Sequence, residues 1–241
     1  MRRAAAAILF LAGLGPAPAL AFRPFDGTDA SVADTGDMEV ELGPVGYLRQ
    51  GAEHALVAPA LELNYGVAPR WETGIEGSAS HALAPSDTGS TFVGDALHLK
   101  GVLREGVLQQ QAGPSVATEL DLLPPGIGDE NGVGGSVAGI ISQEWRSLTF
   151  HFNVVASVTR EQHGDLFLGT IVEGPRQWPV RPVAEIFGER DFGGVDTRSL
   201  LIGAIWQVSD TLAFDAGLRG ARVGGNSVGE VRAGLTFAFP L

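Results

Sequence analysis

Catalysis by a nucleophile requires a base within hydrogen-bond reach of it, so the histidines are the first candidates. The five histidines are scattered singly, without the His-x-His or His-x-x-His spacing that metal ligands show. His151 is followed two residues later by Asn153, and the nearest serine on the same face of a strand is Ser157. The sequence therefore predicts no catalytic residue and no metal ligand.

Paired acids are the second kind of candidate. Glu72 with Glu76, and Glu119 with Asp121, could each share one face of an extended chain. Such pairs act as acid and base in glycosidases, but they also occur in barrel interiors without any such activity. We therefore expect neither an enzyme nor a cofactor.

The elements that position these residues are predicted to be strands, because apolar and polar residues alternate along most of the chain. From Leu148 to Val158 every second residue is apolar, with Thr149, His151, Asn153 and Ser157 among the residues between them. A strand points successive side chains to opposite faces, so one face is apolar and the other polar. About twelve such segments are predicted, at 38–48, 57–65, 71–76, 97–100, 116–122, 135–146, 148–158, 165–173, 178–189, 197–208, 212–219 and 231–241.

The N-terminus has the pattern of a secretory signal peptide. Arg2 and Arg3 precede an apolar run from Ala4 to Leu14, and Ala19-Leu20-Ala21 is typical of a cleavage site. We expect residues 1–21 to be removed and residues 22–241 to form one domain. The chain has no cysteine, so no disulfide framework is expected, and its net charge of −12 argues against nucleic-acid binding.

The C-terminus carries an apolar row at every second position, from Val231 to the last residue. Leu235, Phe237, Phe239 and Leu241 resemble the terminal signal by which the barrel-assembly machinery recognises outer-membrane proteins. Since no later stretch is long enough for a spanning helix, the membrane would be crossed by strands. The predicted fold is all-β: a closed, antiparallel transmembrane β-barrel in the outer membrane of a Gram-negative bacterium, surrounded by its lipids.

In such a barrel the polar rows face the lumen and aromatic side chains anchor the two membrane interfaces. The predicted anchors are Tyr65, Trp71 and Trp206. The predicted lumen-lining residues are Glu39, Glu41, Glu62, Glu72, Glu76, His98, Lys100, Glu119, Asp121, His151, Arg219 and Arg232. If acids line one wall and bases the other, the field between them would orient polar solutes. If the acids and bases neutralise each other, they would only make a filled barrel rigid. Arg232 is predicted near Glu39 or Glu41, because the last strand pairs with the first.

Four stretches resemble the outer-membrane transporter family associated with the meta-pathway of phenol degradation. They are Arg23-Pro24-Phe25-Asp26-Gly27-Thr28-Asp29-Ala30, Gly94-Asp95-Ala96-Leu97-His98-Leu99-Lys100, Arg198-Ser199-Leu200-Leu201-Ile202-Gly203-Ala204-Ile205-Trp206 and Gly234-Leu235-Thr236-Phe237-Ala238-Phe239. The resemblance implies a barrel of roughly twelve strands and an association with aromatic compounds.

The function expected from these features is passive passage of small organic solutes across the outer membrane. A filled structural or adhesive barrel without a pore is the alternative, and an outer-membrane hydrolase is a more remote one. A soluble periplasmic β-sandwich would also bury one face of each strand. For the barrel, short turns are expected at one end and long loops at the other.

Overall fold

The computed structural model describes residues 24–50, 53–83, 90–125 and 132–241, and the predicted signal peptide at 1–21 lies outside these ranges. Within them the chain forms twelve strands and one short helix. The strands are β1 (Asp37–Gln50), β2 (Glu53–Ala68), β3 (Trp71–Ala82), β4 (Ser90–Arg104), β5 (Ser115–Leu123), β6 (Gly134–Trp145), β7 (Leu148–Val158), β8 (Gly164–Glu173), β9 (Val180–Asp191), β10 (Asp196–Ser209), β11 (Leu212–Val223) and β12 (Asn226–Pro240). The helix is a single 3₁₀ turn, η1 (Val107–Gln109).

The strands close into one ring in which every strand pairs antiparallel with its neighbours in the sequence. Strand β12 closes the ring against β1, with Asp37 opposite Pro240 and Gln50 opposite Val228. Closure removes both free sheet edges, so the backbone groups of the strands find partners without water. The predicted closed barrel of about twelve strands is confirmed, and the alternative of a sandwich is wrong. No helix of the described residues is long and apolar enough to cross a membrane.

The barrel is apolar outside and polar inside, which is the reverse of a water-soluble domain. Ile186 on β9 is 62% exposed, while the neighbouring Glu185 is 2% exposed. The same alternation places Ile202 and Leu218 outside on the next two strands. An apolar outer surface that surrounds the whole barrel requires a lipid environment.

Two register shifts invert this alternation near one end of β1 and β2. The register of β1 shifts between Leu42 and Val45, and the β2–β3 register shifts between Val57 and Ala60. Val57, which the sequence pattern assigns to the outer row with Leu61, instead lines the lumen. A residue inserted into one strand moves every later side chain to the opposite face, and the local pattern does not reveal it.

All four tryptophans lie at the end of the barrel where β1 begins and β12 ends. Trp71 opens β3, Trp145 ends β6, Trp178 follows β8 and Trp206 is near the end of β10. Each is at least 38% exposed. The expectation that the tryptophans are divided between both interfaces is therefore wrong, since all four lie at one end of the barrel, and their role as membrane anchors stays a prediction. Tyr65, near the end of β2, lies at that same end.

The expected division into short turns and long loops is not seen. The end with the tryptophans holds two-residue turns but also a ten-residue connection at 105–114, which contains η1. This connection packs inward: Leu108 joins a buried cluster with Ala30, Ala117, Ala138 and Ile140. A second small cluster, Val183, Ile205 and Ala213 with Phe25 packed against it, lies on the inner face of β9 to β11.

The apolar exterior predicts that a charge in the middle of an outward row destabilises the barrel. Ile186→Lys should lower the free energy of unfolding by about 2–4 kcal/mol, because lysine must then be placed in lipid. Urea unfolding of the refolded protein in lipid vesicles measures this change. Val195→Lys, at a half-exposed position between β9 and β10, is the matched control and should change the unfolding midpoint little. Equal effects of the two substitutions would contradict the assigned lipid face.

Candidate functional site

The chain before β1 runs inside the barrel. Residues 24–34, termed the luminal segment, have no regular secondary structure. The Glu185 carboxylate accepts hydrogen bonds from the backbone N–H groups of Asp26 (2.9 Å) and Gly27 (2.7 Å). Asn153 forms two further bonds, accepting from Thr28 N–H (3.1 Å) and donating to its carbonyl (2.9 Å). An irregular segment can be buried only when its backbone groups find such partners.

The second half of the luminal segment is anchored in the same way. The Ser142 hydroxyl accepts the N–H of Ala30 (3.0 Å), and the Glu72 carboxylate accepts the N–H of Ala33 (2.6 Å). These acceptors come from β6 and β3, whereas those of the first half come from β9 and β7. The luminal segment therefore crosses the lumen between distant strands.

The sequence pattern does not predict this position. Residues 24–30 stand out in the sequence only through a family resemblance, because no local periodicity marks a segment held by distant side chains. A glycine is the one local signal: a Cβ at Gly27 would lie 3.1 Å from Glu185 Oε1 and 3.2 Å from the Asn153 side chain. The chain approaches the wall closely there, and glycine gives it the space.

The predicted bases Arg219 and Arg232 lie in a compact ion-pair network with two acids. Arg232 contacts Asp26 (2.9 Å) and Glu230 (2.8 Å), and Arg219 contacts the same two carboxylates at 3.3 and 3.2 Å. Arg232 also donates to the Pro24 carbonyl at 2.7 Å. This network fixes the start of the luminal segment to β11 and β12.

Arg232 does not lie beside Glu39 or Glu41, so that expectation is wrong. In the β1–β12 register, Arg232 is opposite Gly46, whereas Glu39 is opposite Ala238 and Glu41 opposite Thr236. The strands are long, and pairing of the first with the last does not define which residues are opposite one another.

Lys100 lies among acids and not on a separate basic wall. Its Nζ is 3.7 Å from Glu72, 3.8 Å from Glu119 and 4.0 Å from Asp29, and it donates to the Thr28 hydroxyl at 2.9 Å. The bases are therefore distributed with their acid partners, and the predicted field between an acidic and a basic wall is not present in this simple form.

His151 has a serine partner that sequence spacing does not reveal. Ser142 Oγ lies 2.8 Å from His151 Nδ1, and His151 Nε2 lies 4.0 Å from Glu173. The residue types match a nucleophile, a base and an orienting acid. Ser142 is, however, fully buried and already accepts the Ala30 N–H, so a substrate has no route to its hydroxyl. Here the arrangement anchors the luminal segment. Ser142 is opposite His151 on the neighbouring strand, and only the register of β6 and β7 brings the two together.

A cavity of about 920 Å³ remains beside the luminal segment. Its lining is strongly acidic: seventeen acids contrast with three bases and His98. The acids are Asp26, Asp29, Asp34, Asp37, Glu39, Glu41, Glu62, Glu72, Glu76, Glu105, Glu119, Asp121, Asp165, Glu189, Asp210, Asp215 and Glu230, and the bases are Arg70, Lys100 and Arg232. Ten of the twelve predicted lumen residues are among these lining residues, while His151 and Arg219 are inside the barrel but do not line the cavity.

The other predicted residues lie on the outer surface. Trp71 packs over Gly101, where a Cβ would lie 2.5 Å from its ring, and Trp206 lies 5.9 Å from the Phe214 ring. Leu235, Phe237 and Phe239 are in β12, and Leu241 follows its last residue. Among the described residues no group of three or more histidine, aspartate or glutamate side chains is arranged to hold a metal ion.

No protein-family model matches the chain, and no curated protein matches it. Solved structures do match. The COG4313 outer membrane channel from Pseudomonas putida F1 gives a TM-score of 0.62 at 10% identity, over 89% of this chain and 100% of that chain. The KdgM porin gives 0.54 at 9% identity, over 83% and 99% of the two chains. The beta domain of the Bordetella autotransporter Brka gives 0.50 at 16% identity, over 86% and 100%.

This chain has the fold of an outer-membrane β-barrel. At these identities the similarity concerns the fold, so the site of this outer-membrane barrel has to be interpreted from its own residues.

The hydrogen bonds that anchor the luminal segment should determine how often it opens locally. Glu185→Ala leaves two part-buried N–H groups without acceptors, so local opening at Asp26 and Gly27 should increase about tenfold or more. Hydrogen–deuterium exchange of the refolded protein, followed by mass spectrometry of peptides covering residues 24–30, measures this opening. Glu161→Ala, an exposed acid in the β7–β8 connection, should leave that exchange unchanged. Unchanged exchange in Glu185→Ala would show that these hydrogen bonds do not hold the segment.

Proposed function

We propose that this protein is an outer-membrane channel that passes small organic solutes by passive diffusion. The cavity of about 920 Å³ inside a closed barrel with an apolar exterior is the observation that carries the proposal. Two structures with the same fold are named as a channel and a porin, which supports it. In this proposal the chain is exported by its signal peptide and inserted into outer-membrane lipids by the barrel-assembly machinery. No covalent step and no cofactor is required.

The charge of the lining suggests which solutes pass. Rings or walls of carboxylates in a pore raise the local concentration of cations and exclude anions. Because acids greatly outnumber bases around the cavity, we propose that cationic and neutral solutes are preferred over anionic ones. The resemblance to the transporter family of phenol degradation supports neutral aromatic compounds among them.

A filled structural barrel is the second candidate function. The luminal segment crosses the lumen, and Lys100, Arg219 and Arg232 each contact acids. Mutual neutralisation of this kind rigidifies a barrel without any need for transport. Conduction is the property that separates the two candidates.

Single-channel recording of the refolded chain from residue 22 to residue 241, in a planar bilayer under a KCl gradient, tests the proposal. Discrete conductance steps are expected, with a reversal potential that shows K⁺ permeating in preference to Cl⁻. The double substitution Glu41→Gln with Glu76→Gln should reduce that preference, because both residues line the cavity. The double substitution Glu144→Gln with Glu161→Gln, at exposed positions, is the control and should not. A silent inserted barrel would favour the structural role, and a preference for Cl⁻ would contradict the proposed selectivity.

A further inference from the structure

Three arginines lie on the outer surface of the barrel, on adjacent strands. Arg190 is on β9, Arg198 on β10 and Arg222 on β11, and all three are exposed. The residues beside them in sequence face inward: Glu189 lines the cavity, and Ser199 is buried. The three side chains therefore point away from the lumen, where the acids of the barrel do not neutralise them.

Strand register brings these arginines together. Arg198 and Arg222 are directly opposite each other, so their Cβ atoms are about 5 Å apart. Arg198 is also opposite Gly188, and Arg190 is the next outward residue of β9, which makes it a diagonal neighbour at about 7–8 Å. Like charges that are directly opposite across a sheet destabilise it, and an anion bound between them would offset the repulsion.

The protein itself supplies little of that negative charge. Asp196 lies 3.9 Å from Arg190, and both side chains are more than half exposed. Arg222 donates to the Gly225 carbonyl at 3.0 Å. In the described part of the chain, no hydrogen bond or ion pair involves Arg198. Three arginines and one aspartate therefore leave an excess of two positive charges on this surface.

The arginines border the apolar band of the outer surface. Trp206 and Arg198 are eight residues apart on β10, and the outward residues Leu200 and Ile202 between them are apolar and more than half exposed. Eight residues of strand span about 27 Å, or about 20 Å along the membrane normal at a tilt of about 40°. Since the apolar band of such barrels is about 25 Å tall, Arg198 lies near the interface opposite the tryptophans, and its long side chain reaches the head groups.

Glycines leave open surface beside the arginines. Gly188 lies between Leu168 of β8 and Arg198 of β10 in the register. Gly220 is the outward residue before Arg222 on β11. A Cβ at either glycine would have no atom within 4 Å. A ligand can therefore approach the sheet closely at both positions.

We propose that Arg190, Arg198 and Arg222 bind the phosphate groups of a diphosphorylated glycolipid of the outer membrane. A guanidinium group binds phosphate through paired N–H donors, and a lipid with two phosphates carries at least the two negative charges that the cluster lacks. The acyl chains of the same lipid lie along the apolar band at Gly188 and Gly220. This inference goes beyond the proposed function, because it requires an outer-membrane barrel but no pore.

The leaflet that the arginines face selects a glycolipid. The barrel has twelve strands, so β1 begins and β12 ends on the same side of the membrane. In this proposal that side is the periplasmic one, because an exported chain reaches the outer membrane from the periplasm. The arginines lie at the opposite interface and therefore face the outer leaflet, which contains the phosphorylated glycolipid of Gram-negative bacteria.

Native mass spectrometry of the refolded chain from residue 22 to residue 241, in detergent micelles titrated with diphosphoryl lipid A, tests the site. One tightly bound lipid per chain is expected. Arg198→Gln should weaken its binding about fivefold, and Arg198→Gln with Arg222→Gln about 25-fold, through the loss of one and two charges near the head group. Asp196→Asn should strengthen it, because this change removes the acid that competes for Arg190. Arg146→Gln, at an exposed arginine in the β6–β7 turn at the other end of the barrel, is the control and should leave the affinity unchanged.

Two further ligands separate the lipid from its phosphate. Monophosphoryl lipid A keeps the acyl chains but lacks one phosphate, and it should bind at least about fivefold more weakly. Sodium phosphate in molar excess should not displace the bound lipid, because it makes no contact with the apolar band. Equal binding of the two lipids, displacement by sodium phosphate, or equal weakening by Arg146→Gln would each overturn the proposed site. A urea unfolding curve identifies any variant that has not folded, and Asp196→Asn tests the site without removal of an arginine.

The lipid titration is independent of conduction. A silent barrel that binds lipid A at Arg198 would support the site while contradicting the channel. A conducting barrel that does not bind it would contradict the site alone.

Discussion

Lipid offers no hydrogen-bond partner to the backbone, and the rest of this structure depends on that constraint. The pairing of β1 with β12 closes the ring, so no strand has a free edge. Closure also gives the sheet an outer face toward lipid and an inner face toward the lumen. The alternation that places Ile186 and its outward neighbours in contact with lipid places every second residue in the lumen, where space is limited.

Because the inward rows contain many charged residues, the lumen needs partners of its own. The luminal segment supplies several of them: Asp26 pairs with Arg219 and Arg232, and Asp29 lies near Lys100. In return, carboxylates and polar side chains of the wall accept its backbone N–H groups. The segment and the barrel wall therefore stabilise each other, and most of the acids that line the remaining cavity take no part in these contacts. That distribution links the fold to the proposed preference for cations.

Local features of the chain are predictable from sequence, because the strand periodicity of two depends only on neighbouring residues. The row from Leu148 to Val158 forms β7 as expected, and the apolar row ending at Phe239 forms β12. The contacts of the site depend instead on the register, that is, on which residues of neighbouring strands are opposite each other. Asp26 and Glu185 are 159 residues apart, and the opposition of Ser142 to His151 follows from strand pairing. The alternation assigns Val57 to the wrong face because the shift between Val57 and Ala60 has no signal in the alternation itself.

The position of the luminal segment inside the barrel can be tested directly, because the chain contains no cysteine. Ala30 is fully buried against Leu108, Ala117, Ala138 and Ile140. In Ala30→Cys, a water-soluble maleimide should therefore react on the order of a hundredfold more slowly than in Glu161→Cys, whose position is exposed, and the two rates should become equal in denaturant. Equal rates in the folded protein would show that the segment lies outside the barrel, and would contradict the assignment of its side chains as partners of the luminal charges.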